Sequence, residues 1–167
     1  TTSQTTIDSY TIEAGDDQQE EEFPGAYVES FKISGKAGDP LMMSAVWKGR
    51  QTTASTFTGA LSYPTVEEIL FGKGSIAIDA VGGTLGATTK SNTLLGFELN
   101  CKTGWTGVKT ADALWPSFLK CVQPELPIKV TFEHDGTSTA EKAHWRAQTP
   151  VKMRFKWIGS AVTTGTL

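Results

Sequence analysis

Period-two alternation of apolar and polar side chains dominates this chain, the mark of strands half buried in antiparallel sheets. Tyr10-Thr11-Ile12-Glu13 is the first short strand. In Ala26 to Ser34, Tyr27, Phe31 and Ile33 lie opposite Val28, Ser30 and Lys32. Leu41 to Lys48 is rich in Met, Val and Trp, and Ser75 to Asp79 puts Ile76 and Ile78 together. Leu95 to Lys102 sets Phe97, Leu99 and Cys101 against Glu98, Asn100 and Lys102. Ile128 to Glu133 alternates Ile128, Val130 and Phe132 with Lys129, Thr131 and Glu133. Val151 to Trp157 is the cleanest case, with Val151, Met153, Phe155 and Trp157 opposed to Lys152, Arg154 and Lys156. The phase predicts that Phe97, Leu99, Val130, Phe132, Met153, Phe155 and Trp157 share one buried side.

Turn chemistry separates these segments. Gly35-Lys36-Ala37-Gly38-Asp39-Pro40 has the length of a hairpin loop, and Gly72-Lys73-Gly74 starts a strand. Gly82-Gly83 and Gly86 lie in a polar stretch before Leu94, again hairpin-like, where glycine serves positive φ angles. One segment reads as helix: Ser138-Thr139-Ala140-Glu141 has the form of a capping box with Ser138 as N-cap, and Pro150 ends the run. Ala140, Ala143, Ala147 and Trp145 would pack one face of it on a sheet. A weaker helical turn is read at 65–70. About seven strands and one flanking helix predict a mainly β fold, an antiparallel β-sandwich or half-barrel, as one domain over 1–167.

Composition narrows the classes. With 38% hydrophobic and 20% charged residues the chain is neither a disordered tail nor membrane-spanning, since no apolar run nears the roughly 20 residues a bilayer requires. A net charge of −3 argues against a duplex-binding protein working by phosphate neutralisation. The charge is uneven: residues 1–84 carry −7 and residues 85–167 carry +4. Unlike halves suit head-to-tail contacts between copies, unless the signs intermingle once the halves pack. Cys101 falls on the apolar side of its strand and reads as a buried free thiol; a bridge to Cys121 would require an oxidising compartment. The opening Thr1-Thr2-Ser3-Gln4 lacks an initiator Met and a signal pattern, which leads us to expect residues upstream, and the ending at Leu167 just after a strand pattern is compatible with truncation.

The chemistry-bearing residues do not assemble into a catalytic or cofactor motif. The two histidines, His134 and His144, stand at a strand end and inside the helix, with no surrounding nucleophile or metal-ligand spacing. Gly72-Lys73-Gly74-Ser75 lacks the spacing of a phosphate loop and is followed by a strand. No catalytic residue, metal ligand or cofactor site is expected. The acidic stretch Glu13, Asp16, Asp17, Glu20, Glu21 and Glu22 is either a solvated loop or a surface that repels nucleic acid. The long stretch from Gly104 to Pro127 carries Trp105, Trp115 and Phe118, which would cap the core, anchor a neighbouring subunit or stack on a sugar.

Phe23-Pro24-Gly25-Ala26-Tyr27-Val28-Glu29-Ser30-Phe31-Lys32-Ile33-Ser34-Gly35, followed by Gly38-Asp39-Pro40-Leu41-Met42-Met43-Ser44-Ala45-Val46-Trp47-Lys48-Gly49-Arg50-Gln51, resembles the central hairpin of siphophage major tail tube proteins. The later order is also similar: Ile76, Ile78 and Asp79, then Leu94 to Asn100 with the turn Thr103-Gly104, then a strand, a helix bearing Trp145, and a basic alternating strand ending at Gly159. The resemblance covers most of residues 10 to 160 and rests on the ordered set. It implies a β-sandwich or half-barrel with a flanking helix, hexameric rings stacked into a hollow tube, and DNA passing through the lumen. The inner tubes of contractile tails and type VI secretion systems share that architecture. It further implies a virion protein of the phage tail, assembled in the host cytoplasm, whose partners are copies of itself and other tail proteins, with no membrane and no enzymatic activity. The expected subunit-interface residues are Asp16, Asp17, Glu20, Glu21, Glu22, Trp105, Trp115, Phe118, Lys152, Arg154 and Lys156, the acidic group facing Lys152, Arg154 and Lys156 of a neighbour unless those pair with Glu98 and Glu133 internally. Alternatives are another virion β-sandwich (tail terminator, decoration or baseplate protein), a carbohydrate-binding module using Trp105 or Trp115, and, last, a hydrolase.

Overall fold

The computed structural model describes residues 7–16, 18–59 and 67–159. The described chain is ordered as β1 (Tyr10–Gly15), β2 (Glu20–Lys36), β3 (Met42–Lys48), β4 (Thr53–Ala54), a 3-10 turn (Phe71–Lys73), β5 (Gly74–Ala80), β6 (Thr89–Lys90), β7 (Leu94–Lys102), β8 (Trp105–Val108), β9 (Phe118–Cys121), β10 (Ile128–Phe132), α1 (Gly136–Arg146) and β11 (Val151–Trp157). The seven alternating segments are all strands, and β4, β6, β8 and β9 are short additions. The fold is mainly β, with antiparallel sheets that do not close into a barrel and one helix, the class of a β-sandwich with a helix. The described residues fall into two compact units, one drawn from Thr1–Lys32, Ser44–Pro64 and Asn100–Pro127, the other from Ile33–Met43, Thr65–Leu99 and Ile128–Leu167.

In the first unit β1 and the start of β2 form a hairpin closed by Asp16, whose Oδ1 accepts from the N–H groups of Gln18 and Gln19 at 2.9 and 3.0 Å. The register places Glu13 opposite Glu22, a like-charge pair that would destabilise a bare ladder. The segment after β3 relieves it. Thr58 donates its N–H and hydroxyl to Glu13 at 2.9 and 2.7 Å, Thr53 and Ser55 donate hydroxyls to Glu22 at 3.2 and 3.4 Å, and the Phe57 N–H reaches Glu20 at 2.7 Å. β4 adds ladder pairing beside Glu21 and Glu22. Among the described residues of this unit, Ala26 and Tyr27 are the buried ones. The stretch read from the sequence as a long connection, Gly104 to Pro127, instead contains the β8–β9 hairpin, with Trp105 opposite Cys121 and Val108 opposite Phe118. Its packing is tight at Gly107, where a Cβ would lie 2.7 Å from the Pro116 ring.

The second unit holds most of the core. β5 is the central strand between β11 and β6, and Ile76, Ala77, Ile78 and Asp79 are all buried, so both faces of the strand are covered. β11 pairs with β5 along its whole length, from Val151 opposite Ala80 to Trp157 opposite Gly74. β7 and β10 form a second ladder with Phe97 opposite Val130. Rings join the two layers: Phe97 lies 4.4 Å from Phe155 and 5.2 Å from Trp157, and Phe71 lies 5.9 Å from Trp157, between ring centroids. Trp157 donates its indole N–H to the Phe71 carbonyl at 3.1 Å. That ring lies over Gly74, where a Cβ would come within 2.2 Å of it, so the position admits no side chain.

Several sequence expectations change. The expected N-cap of α1 is Ser138, but Asp135 takes that place: Asp135 Oδ1 accepts from the Ser138 N–H at 2.8 Å and Ser138 Oγ from the Asp135 N–H at 3.0 Å. Asp competes well for a cap, and Ser138 serves as the reciprocal third residue. Glu141 is thereby left to bond elsewhere. α1 buries no residue fully, Ala140, Ala143 and Ala147 are exposed, and Trp145 is 75% exposed, so the alanine face does not pack on a sheet. Glu141 faces the unit instead and pairs with Lys90 at 3.2 Å and His144 at 3.1 Å. The helix ends before Pro150 with Gln148 at φ 50°. The glycine-rich loop after β5 returns to β6, not directly to β7, and of its glycines only Gly86 has positive φ. Residues 65 and 66 lie outside the described residues, 67–69 are not helical, and the turn found is Phe71–Lys73. Met153 is 40% exposed because the surface facing it is open.

Phe97→Ala should destabilise the protein by about 3–5 kcal/mol in chemical unfolding, since it removes the ring shared by both layers of this unit. A change near zero would mean that the two layers do not meet through Phe97.

Candidate functional site

The extended surfaces, more than any cleft, hold the unusual features of this chain. Among the described residues seven hydrophobic side chains are buried as core, whereas twenty large apolar ones are exposed. They include Met42, Met43, Val46 and Trp47 of β3, a strand whose sheet neighbour is β2, and Leu114, Trp115 and Phe118 around the β8–β9 loop. A monomer seldom leaves that much apolar surface in water, and an exposed apolar strand edge is a template for pairing.

The residues expected at interfaces have these positions. Asp16 caps the β1–β2 turn, and the N–H groups of Gln18 and Gln19 hold its carboxyl below the usual carboxylate range. Asp17 lies outside the described residues. Glu20 and Glu22 grip the 53–58 segment, and Glu21 accepts from the Gln19 amide at 2.9 Å. Glu13, which grips the same segment, is held below its ordinary value by the Thr58 N–H and hydroxyl. Lys152 donates to the Gly83 carbonyl at 3.2 Å, and the Arg154 guanidinium lies against Gly86, where a Cβ would come within 2.4 Å of it. Lys156 is exposed. Trp105 is half-buried within β8, whereas Trp115 and Phe118 are 41% and 55% exposed and do not cap a core. Asp16, Glu20, Glu22 and Lys152 thus each brace a loop of their own unit.

Asp79, the last residue of the Ser75–Asp79 alternation, has a role that local pattern does not reveal. Only 5% exposed, it accepts from the N–H groups of Gly86 and Thr88, each at 2.7 Å, and so ties the loop after β5 back onto the strand. Burial pushes its carboxyl up, but the N–H groups of Gly86 and Thr88, aided by the Thr88 hydroxyl and the Ala87 N–H, outweigh that and hold it below its ordinary value. The signal available in sequence was an Asp followed by a Gly-rich loop, which is too common to single out.

Catalytic and ligand chemistry find little to work with. No group of three or more His, Cys, Asp or Glu among the described residues is placed to hold a metal ion. His144 is part of the Lys90–Glu141–His144 chain, and His134 is exposed. Cys101 and Cys121 are free thiols, half-buried and exposed respectively; Cys101 is not fully buried as its strand phase implied, and no bridge joins the two. A groove of about 430 Å³ in the first unit is lined by Trp47, Trp115, Tyr27 and Phe23 with Lys48 and Arg50. Trp47 of that lining meets Tyr10 edge to face at 89°, not as a coplanar platform for a sugar. No helix among the described residues is long and apolar enough to cross a membrane.

These features define a mainly β structural module whose notable surfaces are apolar and extended. The model of the phage tail tube protein family matches residues 1–166, and the chain belongs to that family. It is a structural protein of the phage tail, part of the virion. No curated protein matches the chain.

Asp79 gives a pH prediction. Because its carboxyl is depressed in the folded state, its stabilising effect is complete above the ordinary value of 3.8 and is lost as pH falls through the lower folded value. Asp79→Asn should therefore lower the thermal midpoint at pH 7, and its deficit relative to the wild type should shrink in strong acid. An equal deficit at both pH values would show that the charge is not what holds the loop.

Proposed function

We propose that this chain is the repeating subunit of a tail tube: six copies form a ring, rings stack, and DNA leaves the capsid through the shared lumen. Folding takes place as one domain in the host cytoplasm, and the chain has no enzymatic activity. Its chief partner is a further copy of itself, with other tail proteins at the tube ends. The match to the tail tube family over residues 1–166 carries this reading. The exposed side chains Met42, Met43, Val46 and Trp47 support it, because a strand with apolar side chains and, among the described residues, one sheet neighbour gains most from a second strand at its other edge.

Charge acts on how copies meet. Glu20, Glu21, Glu22, Asp16 and Asp17 belong to the first unit and Lys152, Arg154 and Lys156 to the second, although each unit draws on both halves of the sequence and so mixes charges of both signs. A head-to-tail stack can put the acidic patch of one copy on the basic strand of the next, whereas a two-fold dimer pairs each patch with itself. The proposed contacts of the acidic group with Lys152, Arg154 and Lys156 of the next copy act mainly on association rate.

Electron micrographs of the purified full-length chain at high concentration should show six-fold rings or hollow tubes. Tube growth followed by light scattering should slow as salt is raised, because exposed charges are screened over about 8 Å at physiological ionic strength. A strictly monomeric chain would overturn the assembly reading, and growth indifferent to salt would overturn the electrostatic part.

A further inference from the structure

The β8–β9 loop has an unusual tip. Leu114 is 79% exposed, the highest value among the exposed large hydrophobic residues described. It is held out by a loop braced from within. The Ala113 N–H donates to the Thr110 carbonyl at 3.2 Å and the Ser117 N–H to the Val108 carbonyl at 2.9 Å, and the hydroxyls of Thr110 and Ser117 lie 2.7 Å apart. Asp112 stands two residues before Leu114 and bonds the Thr110 side chain, which lowers its carboxyl. Such a loop presents an apolar knob beside a negative charge and needs little ordering on binding, which lowers one of the costs of association.

The second unit carries a groove of about 500 Å³ between β10, β11 and α1. Its apolar wall is Ile128, Val130, Phe132, Val151, Met153 and Trp145. Ile128, Met153 and Trp145 are 42%, 40% and 75% exposed. The groove is open because the helix docks through Glu141 and Lys90, and its alanines do not fill the space beside the strands. Lys142 and His144 stand at its helical edge. Glu141, the acidic residue of the same lining, is already engaged by Lys90.

We propose that this groove receives the Leu114 knob of a second copy, with Asp112 of the incoming loop beside Lys142 of the groove. Knob and groove are different surfaces, so the contact is heterologous. Heterologous contacts propagate from copy to copy and close into a ring or extend as a filament, which an isologous patch does not do. Charge complementarity favours this occupant: the knob brings one carboxylate, Asp112, to a rim that carries Lys142. The proposal rests on the self-assembly reading and specifies one contact within it.

The test uses full-length chains in which Cys101→Ser and Cys121→Ser remove the native thiols. One preparation carries Leu114→Cys, another Met153→Cys, and the two are mixed under assembly conditions with a short bismaleimide. A covalent dimer is expected from the mixture and not from either preparation alone. In parallel, Leu114→Asp should abolish assembly while circular dichroism and the thermal midpoint stay those of the wild type, because the side chain is solvent-exposed in the single chain. Asp112→Lys should weaken assembly, and adding Lys142→Asp should restore it. If the wild type assembles but Leu114→Asp assembles equally and no mixed dimer forms, the knob-and-groove contact is wrong and the self-assembly reading stands. Cross-linking of Leu114→Cys with itself would also overturn it, by showing a two-fold contact. A wild-type chain that stays monomeric would sink both.

Discussion

Four rings set the geometry of the second unit. Phe97 on β7 meets Phe155 and Trp157 on β11, and Trp157 reaches Phe71 on the turn that feeds β5. A ring cluster of this kind joins layers that backbone hydrogen bonds cannot join, since ladders act only within a sheet. The register of β11 on β5 then follows from one steric fact. Trp157 must lie over a residue without a side chain, and Gly74 is that residue. A slip by one position would put Trp157 over a Cβ and turn the apolar side of β11 to water.

Around that core, carboxylates organise the loops. Asp79 holds the loop after β5, Asp135 caps α1, Asp16 closes the β1–β2 turn, and Glu13, Glu20 and Glu22 hold the segment after β3. In each case a negative oxygen takes a backbone N–H or a hydroxyl that the ladders leave unpaired, and charge makes such bonds stronger than neutral ones. The acidic bias of the first half of the chain is thus partly architectural. The carboxylates that oppose each other on the β1–β2 hairpin are tolerated because a third segment supplies donors to both.

The same economy leaves the chain short of covered apolar surface. α1 is tied on by an ion pair that is mostly shielded, with Lys90 and Glu141 side chains 20% and 11% exposed, and not by an apolar face. It consequently leaves a groove where a packed helix would have filled one. β3 and the β8–β9 loop present apolar side chains outward. A protein that works only in an array can leave such surface for its neighbours to cover, and membership of the tail tube family places this chain in that setting.

The sequence by itself determined the fold class and the positions of the seven long strands, because alternation is a local property that any half-buried strand must display. It also placed the helix and, through the ordered set from Phe23 to Gly159, indicated the family. Cap choice was legible only to within a turn, since Asp135 and Ser138 are both good caps and the decision lies in which side chain reaches which N–H. The short strands β4, β6, β8 and β9 carried too few residues to show a period. Tertiary structure alone decided that Glu13, Glu20 and Glu22 converge on residues 53–58, that Asp79 is buried over Gly86 and Thr88, and that Trp145 and Leu114 face outward. These are long-range outcomes: each depends on which distant segment supplies a donor or a covering side chain, and nothing in local periodicity encodes that choice.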